Sequence, residues 1–141
     1  MTTAKLRGRK IVGGYAEGTA LVSSSPISFY GGIDPKTGLV IERGHELEGK
    51  RISDQILVFP SGKGSTVGSY TIYQMKKLGT APKAIINLET EIIIATGCAL
   101  GNIPLVDRLD RNPLLEISTG EVVTVRADSG EVEVRKDDQT P

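Results

Sequence analysis

The sequence has few of the residues that bind metals and few aromatic side chains. Its 141 residues include one cysteine, one histidine, four tyrosines, two phenylalanines and no tryptophan. A single cysteine excludes an intrachain disulfide. Together with a single histidine, it leaves too few soft ligands for a zinc site or an iron–sulfur cluster held by this chain alone. Any such metal centre must therefore be held by another chain.

The sequence also lacks a net charge and a long apolar run. The 17 Lys and Arg residues balance 17 Asp and Glu residues, and the only basic cluster is at the N-terminus. This balance argues against binding to a nucleic-acid backbone. No apolar run approaches membrane-spanning length, and no signal-peptide-like segment opens the sequence. We therefore expect a soluble cytoplasmic protein that binds neither nucleic acid nor a membrane.

The size and composition predict one globular domain. A chain of 141 residues with 38% hydrophobic and 24% charged residues can bury a core of ordinary size. The polar C-terminal residues carry no strand or helix pattern. We predict a single domain over residues 1–135 and a frayed tail over residues 136–141.

Glycine is abundant, with 17 residues. Several glycines separate the elements of a strand–loop–helix–strand pattern in the middle of the chain. The continuous apolar run Gln55–Phe59 predicts a strand buried on both faces. A glycine-rich loop, Ser61–Thr66, follows it. Apolar residues at helical spacing from Val67 to Leu78 then predict a helix that ends at Gly79. Ala84–Leu88 reads as the next strand, so the unit predicts a right-handed βαβ crossover with parallel strands.

Shorter patterns flank this unit. Apolar and polar residues alternate with a period of two on either side of the turn 127–130, and this pattern predicts a C-terminal β-hairpin. The segment from Glu91 to Leu100 fits either a strand or a short buried helix. The fold class is thus α/β with an added antiparallel portion. The other predicted strands are 10–12, 19–22 and 103–106, and those of the hairpin are 121–126 and 131–135.

The glycine-rich loop is the strongest local feature. Free backbone N–H groups at the start of a helix, together with the positive end of the helix dipole, favour the binding of an anion there. Two nucleotide-binding motifs fail on spacing. A P-loop would need a glycine five positions before Gly62, and no residue between Lys63 and Ser65. A Rossmann fingerprint would need its third glycine one position before Gly68.

Ser65 has two interpretations from its position alone. It is either an ordinary N-cap, or a base or nucleophile activated by neighbouring N–H groups and Lys63. The other polar candidates have plain structural interpretations. Asp34 precedes a proline and favours a turn, and Asp107 fits a surface turn unless it points into a site. His45 fits a solvated loop, and Cys98 a small buried hydrophobe.

Four blocks, in this order along the chain, carry a resemblance to a known family. They are similar to the swivel-domain small subunit of the aconitase X family, and the resemblance covers nearly the whole chain. The second block, with its Gly-Lys-Gly-Ser-Thr-Val-Gly-Ser-Tyr run, is the most specific. The blocks are Gly31–Gly38, Ile56–Tyr70, Ala81–Asn87 and Ile103–Val106.

The resemblance implies a swivelling three-layer β/β/α domain in a two-chain hydro-lyase. A cysteine-bearing large subunit would hold an iron–sulfur cluster, and this chain would close over it. The implied reaction is loss of water from (R)-5-phosphomevalonate to give trans-anhydromevalonate 5-phosphate in archaeal isoprenoid synthesis. Two alternatives remain open: dehydration of cis-3-hydroxy-L-proline, and a noncatalytic module that binds an anion or a partner.

The resemblance also implies roles for particular residues. Ser65 takes the place of the serine that accepts the proton next to a carboxylate. Aconitases carry an arginine two positions after that serine, whereas this chain has Val67. No metal ligand is implied in this chain. The implied substrate-binding residues are Gly32, Asp34, Lys63, Gly64 and Thr66.

Overall fold

A computed structural model describes residues 2–136 of the protein. None of the described helices is both long and apolar enough to cross a membrane. A short 3₁₀ turn, Ala127–Ser129, joins the last two strands. The elements in chain order are β1 (Thr2–Arg7), β2 (Arg9–Val12), β3 (Tyr15–Val22), α1 (Phe29–Gly32), β4 (Ile56–Phe59), α2 (Gly68–Leu78), β5 (Ala84–Asn87), α3 (Ile92–Gly101), β6 (Leu105–Asp107), α4 (Pro113–Glu116), β7 (Val122–Arg126) and β8 (Glu131–Lys136).

The described strands form one mixed sheet in the order β1-β8-β7-β3-β4-β5-β6-β2. The four strands from β3 to β6 are parallel to one another. The strands on either side of them pair antiparallel. The predicted βαβ unit is confirmed as β4–α2–β5, and Gly79 ends α2 in the left-handed conformation with φ 79°.

The parallel strands lie between two hydrophobic cores, because successive side chains point to opposite faces. In β4, Ile56 and Val58 pack with valines of β7 and β8. Leu57 and Phe59 pack instead with apolar residues of α2 and α3. The result is an antiparallel layer, a parallel layer and a helical layer. This arrangement confirms the predicted β/β/α domain and explains why β4 is apolar at every position.

Several element boundaries differ from the sequence prediction. The ambiguous segment after β5 is helix α3, because the Glu91 carboxylate accepts the N–H groups of Ile93 and Ile94 at 2.8 and 3.0 Å. Strand β1 was not predicted, and β3 begins at Tyr15. The prediction that the tail begins at Lys136 is wrong, because this residue ends β8. The remainder of the predicted tail, 137–141, lies outside the described residues.

The two edge strands of the sheet, β1 and β2, are joined at Gly8. Strands β1 and β2 stand at opposite ends of the order, yet Gly8 alone separates them in the chain. The Gly8 N–H donates to the Gly130 carbonyl at 2.8 Å. A Cβ atom on Gly8 would overlap the Asp107 carbonyl and lie 2.9 Å from that of Arg108. The sheet therefore curls until its edges touch, and only glycine fits where they do.

We expect Gly8→Ala to lower the free energy of unfolding by about 2–3 kcal/mol, because backbone atoms on β6 must move to admit the methyl group. In a thermal melt this corresponds to a decrease of about 8 °C in Tm. Gly49→Ala is the matched control. Gly49 has φ 82° and open space around it, so alanine there costs only about 1 kcal/mol of backbone strain. Equal losses in the two variants would contradict the close approach at Gly8.

Candidate functional site

The predicted site residues lie beyond the carboxyl ends of β3 and β4, which is where open α/β sheets bind ligands. The loop after β3 and the glycine-rich loop after β4 are joined by backbone hydrogen bonds. The Ile27 N–H donates to the Ser61 carbonyl at 3.1 Å, and the Lys63 N–H donates to the Ile27 carbonyl at 3.1 Å. Two loops that are distant in sequence are therefore held together as one surface.

A cleft of about 290 Å³ lies between these loops. It brings together three of the predicted binding residues, Gly32, Lys63 and Gly64. The remaining lining residues are Ser28, Tyr30, Gly31 and Glu42.

The fourth predicted binding residue, Thr66, lines a neighbouring cleft of about 260 Å³ between the starts of α2 and α3. In the sequence, Ser65 lies between Gly64, which lines the first cleft, and Thr66, which lines the second. A larger cleft, of about 440 Å³, lies elsewhere, beside Tyr15 and Gly79. None of the predicted site residues lines that larger cleft.

Ser65 is exposed and precedes the first turn of α2. Its Oγ accepts the Val67 N–H at 3.1 Å, and its carbonyl accepts the Gly68 N–H at 3.0 Å. The N-cap of α2 is Val67, so Ser65 does not cap the helix and its hydroxyl instead closes the turn that leads into it. The Val67 N–H, with the helix dipole behind it, would also stabilise negative charge on the serine oxygen. A role in this turn and a role in proton transfer are thus compatible functions of one hydroxyl.

The backbone next to Ser65 has free donors. Gly64 adopts φ 86°, which reverses the chain just before the helix. Among the described residues, we find no hydrogen-bond acceptor for the N–H groups of Gly64, Ser65 or Thr66. Adjacent free N–H groups beside a left-handed residue are an arrangement that binds anions in proteins.

Three glycines of this surface, Gly32, Gly62 and Gly64, lie close to other parts of the chain. A Cβ atom on Gly62 would overlap the Glu91 carboxylate, and one on Gly64 would lie 2.6 Å from Ser28 Oγ. A Cβ on Gly32 would lie 3.3 Å from Glu42 Oε1. These contacts explain the glycines without reference to a ligand.

Lys63 forms an ion pair that the sequence analysis did not anticipate. Its Nζ lies 2.9 Å from Glu42 Oε2, at the rim of the 290 Å³ cleft. Glu42 belongs to a polar segment with no recognisable motif, and the pairing depends on tertiary structure alone. No local signal in the sequence could have identified it.

Asp34 and His45 both hold loops in place. The Asp34 carboxylate accepts the Lys36 N–H at 3.0 Å in the predicted turn, and Asp34 is not among the residues that line the cleft. His45 is only 8% exposed, so the prediction of a solvated residue is wrong. Its Nδ1 accepts the Leu47 N–H at 3.0 Å, so Nε2 carries the proton and donates to the Pro26 carbonyl at 2.9 Å.

The comparison with known proteins decides the family. Residues 5–134 match the family described as the aconitase X swivel domain. The chain belongs to the aconitase X swivel family.

Similar proteins are found across almost the full length of this aconitase X swivel chain. It is 54% identical to the phosphomevalonate dehydratase small subunit of Methanosarcina acetivorans, over 96% of this chain and 94% of that protein. It is 55% identical to the protein of the same name from Thermococcus kodakarensis, over 94% of this chain and 98% of that protein. The crystal structure of Thermococcus kodakaraensis aconitase X in its holo-form aligns with a TM-score of 0.89 and 54% identity, covering 94% of this chain and 99% of that one. The chain is a dehydratase subunit, as the resemblance implied.

Asp107 has a structural role in the swivel chain. The prediction of a surface turn is wrong, because its side chain is fully buried at the end of β6. Its carboxylate accepts Arg9 Nε and Nη2, each at 2.9 Å, and the Thr90 N–H at 2.8 Å. Burial alone would raise the pKa of Asp107, but the hydrogen bonds from Arg9 and Thr90 outweigh it and lower the pKa. The residue is therefore a buried anion that is fully paired.

The residues of the swivel chain do not fit an iron–sulfur cluster. Within residues 2–136, no group of three or more His, Cys, Asp or Glu side chains is placed to hold a metal ion. Cys98 is fully buried on the core-facing side of α3, as predicted, and this burial raises the pKa of its thiol. A thiol enclosed by apolar side chains is not available as a cluster ligand.

Proposed function

We propose that this chain is the small subunit of a two-subunit phosphomevalonate dehydratase, which converts (R)-5-phosphomevalonate to trans-anhydromevalonate 5-phosphate. The observation that carries the proposal is the exposed Ser65 hydroxyl, held by the Val67 N–H just before α2, with its neighbours Gly64 and Thr66 each lining a cleft. The names of the relatives support the choice of substrate.

The chemistry assigned to this chain is proton removal. In the elimination, a base takes the proton from the carbon next to the carboxylate, the C–O bond to the tertiary hydroxyl breaks, and a C=C bond forms. Ser65 acts as the base in its alkoxide form, which the Val67 N–H and the helix dipole stabilise. The proton moves from carbon to Ser65 Oγ and then to solvent. The departing hydroxyl takes up a proton from solvent as its C–O bond breaks and leaves as water, so no proton is gained or lost overall.

Binding of the substrate carboxylate follows from the free donors of this surface. The Lys63 ammonium and the N–H groups of Gly64 and Thr66 hold its oxygens. Gly32 forms the opposite wall of the cleft. Lys63 also supplies the cation for which aconitases use an arginine, since Val67 occupies that position here. We leave Asp34 out of this set because its carboxylate closes a turn.

The rest of the active site belongs to a cysteine-bearing large subunit. We place the iron–sulfur cluster there, where it supplies a Lewis acid for the departing hydroxyl. The surface beside Ser65 supports a partner in this place, because Tyr70 and Ile92 are 67% and 71% exposed. Large apolar side chains at this exposure are suited to an interface.

Co-expression with the large subunit tests the proposal. We expect the two chains to copurify and, after anaerobic reconstitution with iron and sulfide, to form an alkene product from (R)-5-phosphomevalonate that NMR detects. Each chain alone should be inactive. Turnover of cis-3-hydroxy-L-proline in place of phosphomevalonate would overturn the substrate assignment. A chain that binds anions but neither assembles nor supports turnover would show a noncatalytic module.

A further inference from the structure

Glu42 lines the candidate cleft, and the function proposed above gives it no role. Its backbone is fixed on the cleft wall, because the N–H groups of Ile41 and Glu42 both donate to the Gly32 carbonyl, at 2.8 and 3.2 Å. Its side chain has neighbours on both oxygens. Oε1 lies 3.3 Å from the position that a Cβ atom on Gly32 would occupy, and Oε2 accepts the Lys63 ammonium at 2.9 Å.

The turn that begins at Glu42 is anchored to the same surface. His45 donates to the Pro26 carbonyl, and Glu46 Oε1 accepts both the N–H and the hydroxyl of Ser24 at 2.7 Å. Pro26 precedes Ile27, which is hydrogen-bonded to the glycine-rich loop. The carboxylate of Glu42 is therefore held in a fixed relation to the loop that carries Lys63.

Lys63 needs such a partner if it is to bind a ligand in one geometry. A half-exposed lysine samples many rotamers, and ordering them opposes binding. The ion pair with Glu42 orders the side chain before a ligand arrives. An ammonium has three N–H donors, so after one bond to Glu42 two remain for an incoming oxygen. The pair can thus bind an anion without first separating.

We infer that Glu42 is a positioning residue, which holds the Lys63 ammonium at the cleft so that it receives an anionic oxygen of the substrate. The inference rests on the proposed function, in which Lys63 binds the substrate. Glu42 also adds a negative charge that repels an anion. Because the pair is exposed to water and salt, this repulsion is screened, and the ordering of Lys63 is the larger effect.

Steady-state kinetics of the two-subunit enzyme with (R)-5-phosphomevalonate test the inference. We expect Glu42→Ala to raise KM about tenfold and to leave kcat within about twofold, because it weakens ground-state and transition-state binding alike. Glu42→Gln should raise KM only about threefold, since its amide oxygen still accepts a hydrogen bond from the ammonium. If repulsion were the main effect, both variants would lower KM.

A double-mutant cycle shows whether Glu42 acts through Lys63. In a Lys63→Met enzyme, Glu42→Ala should leave KM unchanged. An equal increase of KM in both backgrounds would overturn the inference, as would an unchanged or lower KM in Glu42→Ala alone.

The matched control is Glu48→Gln, in the same turn. Glu48 is exposed and accepts the Gly44 N–H at 3.0 Å away from the cleft, so this variant should keep the wild-type KM. Thermal melts identify any variant that fails to fold, and the Gln variant then replaces Ala in the cycle. Inactivity of the wild-type complex would instead overturn the proposed function, and the inference with it.

Discussion

Ser65→Ala is expected to lower kcat of the assembled two-subunit enzyme by about 10³-fold, because the reaction loses the group that accepts the carbon-bound proton. The expected size comes from general-base catalysis, for which losses of roughly 10²–10⁴ are typical. KM should change little, since Lys63 and the backbone N–H groups remain. Kinetics with purified complexes, matched for iron content, measure both constants.

The structural cost of this substitution is expected to be small. Ser65 is exposed, and its side chain makes a single hydrogen bond, to the Val67 N–H. Loss of one such hydrogen bond costs about 1 kcal/mol, so the two chains should still copurify. Ser129→Ala is the matched control, since Ser129 is exposed in the hairpin turn beside the start of β3 and should tolerate alanine. Near-normal turnover by the Ser65→Ala complex would contradict the proposed base.

Asp107→Ala is expected to lower the free energy of unfolding by about 3 kcal/mol and Tm by about 10 °C. The substitution leaves the Thr90 N–H without its acceptor and removes both hydrogen bonds that Arg9 donates to Asp107. It also removes a side-chain link between β2 and β6, whose backbone pairing remains. Thermal and urea unfolding of the full chain measure the loss. Glu89→Ala is the control, because its exposed carboxylate pairs with Arg108 and also with Arg9, at 2.8 and 3.5 Å, without being buried. It should change Tm by less than about 2 °C.

The free energy of unfolding that is lost on substitution of Asp107 should depend on pH, and the direction of this dependence follows from the pKa of Asp107. The pKa of Asp107 is lowered in the folded state, so its stabilising effect is complete above the ordinary aspartate pKa of about 3.9. The effect disappears as the pH falls through the lowered value. The difference in stability between wild type and Asp107→Asn should therefore be constant near neutral pH and shrink below about pH 4. A difference that does not vary with pH would contradict the ionised pair.

The features that were predicted from the sequence depend on neighbours along the chain. The period of α2, its glycine C-cap, the apolar run of β4 and the hairpin of β7 and β8 are all encoded within a few residues of one another. The parallel pairing of β4 and β5 followed from the connecting helix, because such crossovers have one preferred hand. The family resemblance then supplied the three-layer arrangement.

The features that the sequence analysis missed depend on distant partners. Arg9 and Asp107 are 98 residues apart, and neither segment signals the other. Glu42 meets Lys63 only because backbone hydrogen bonds at Ile27 hold the loop after β3 against the loop after β4. His45 resembles a solvated loop residue until its two ring nitrogens find Pro26 and Leu47. Polar residues in irregular segments carry no periodicity, so their burial depends on the tertiary fold.

The pairing of the first strand with the last has a consequence for synthesis on the ribosome. Strand β1 bonds along its whole length to β8, with Thr2 opposite Lys136. The N-terminal strand therefore has no partner until the final strand has left the exit tunnel. Leu6, which is buried in the native core, therefore reaches its final packing only after β8 is available. Closure of the sheet waits for β8, and the slow formation of such long-range contacts is expected to limit the folding rate.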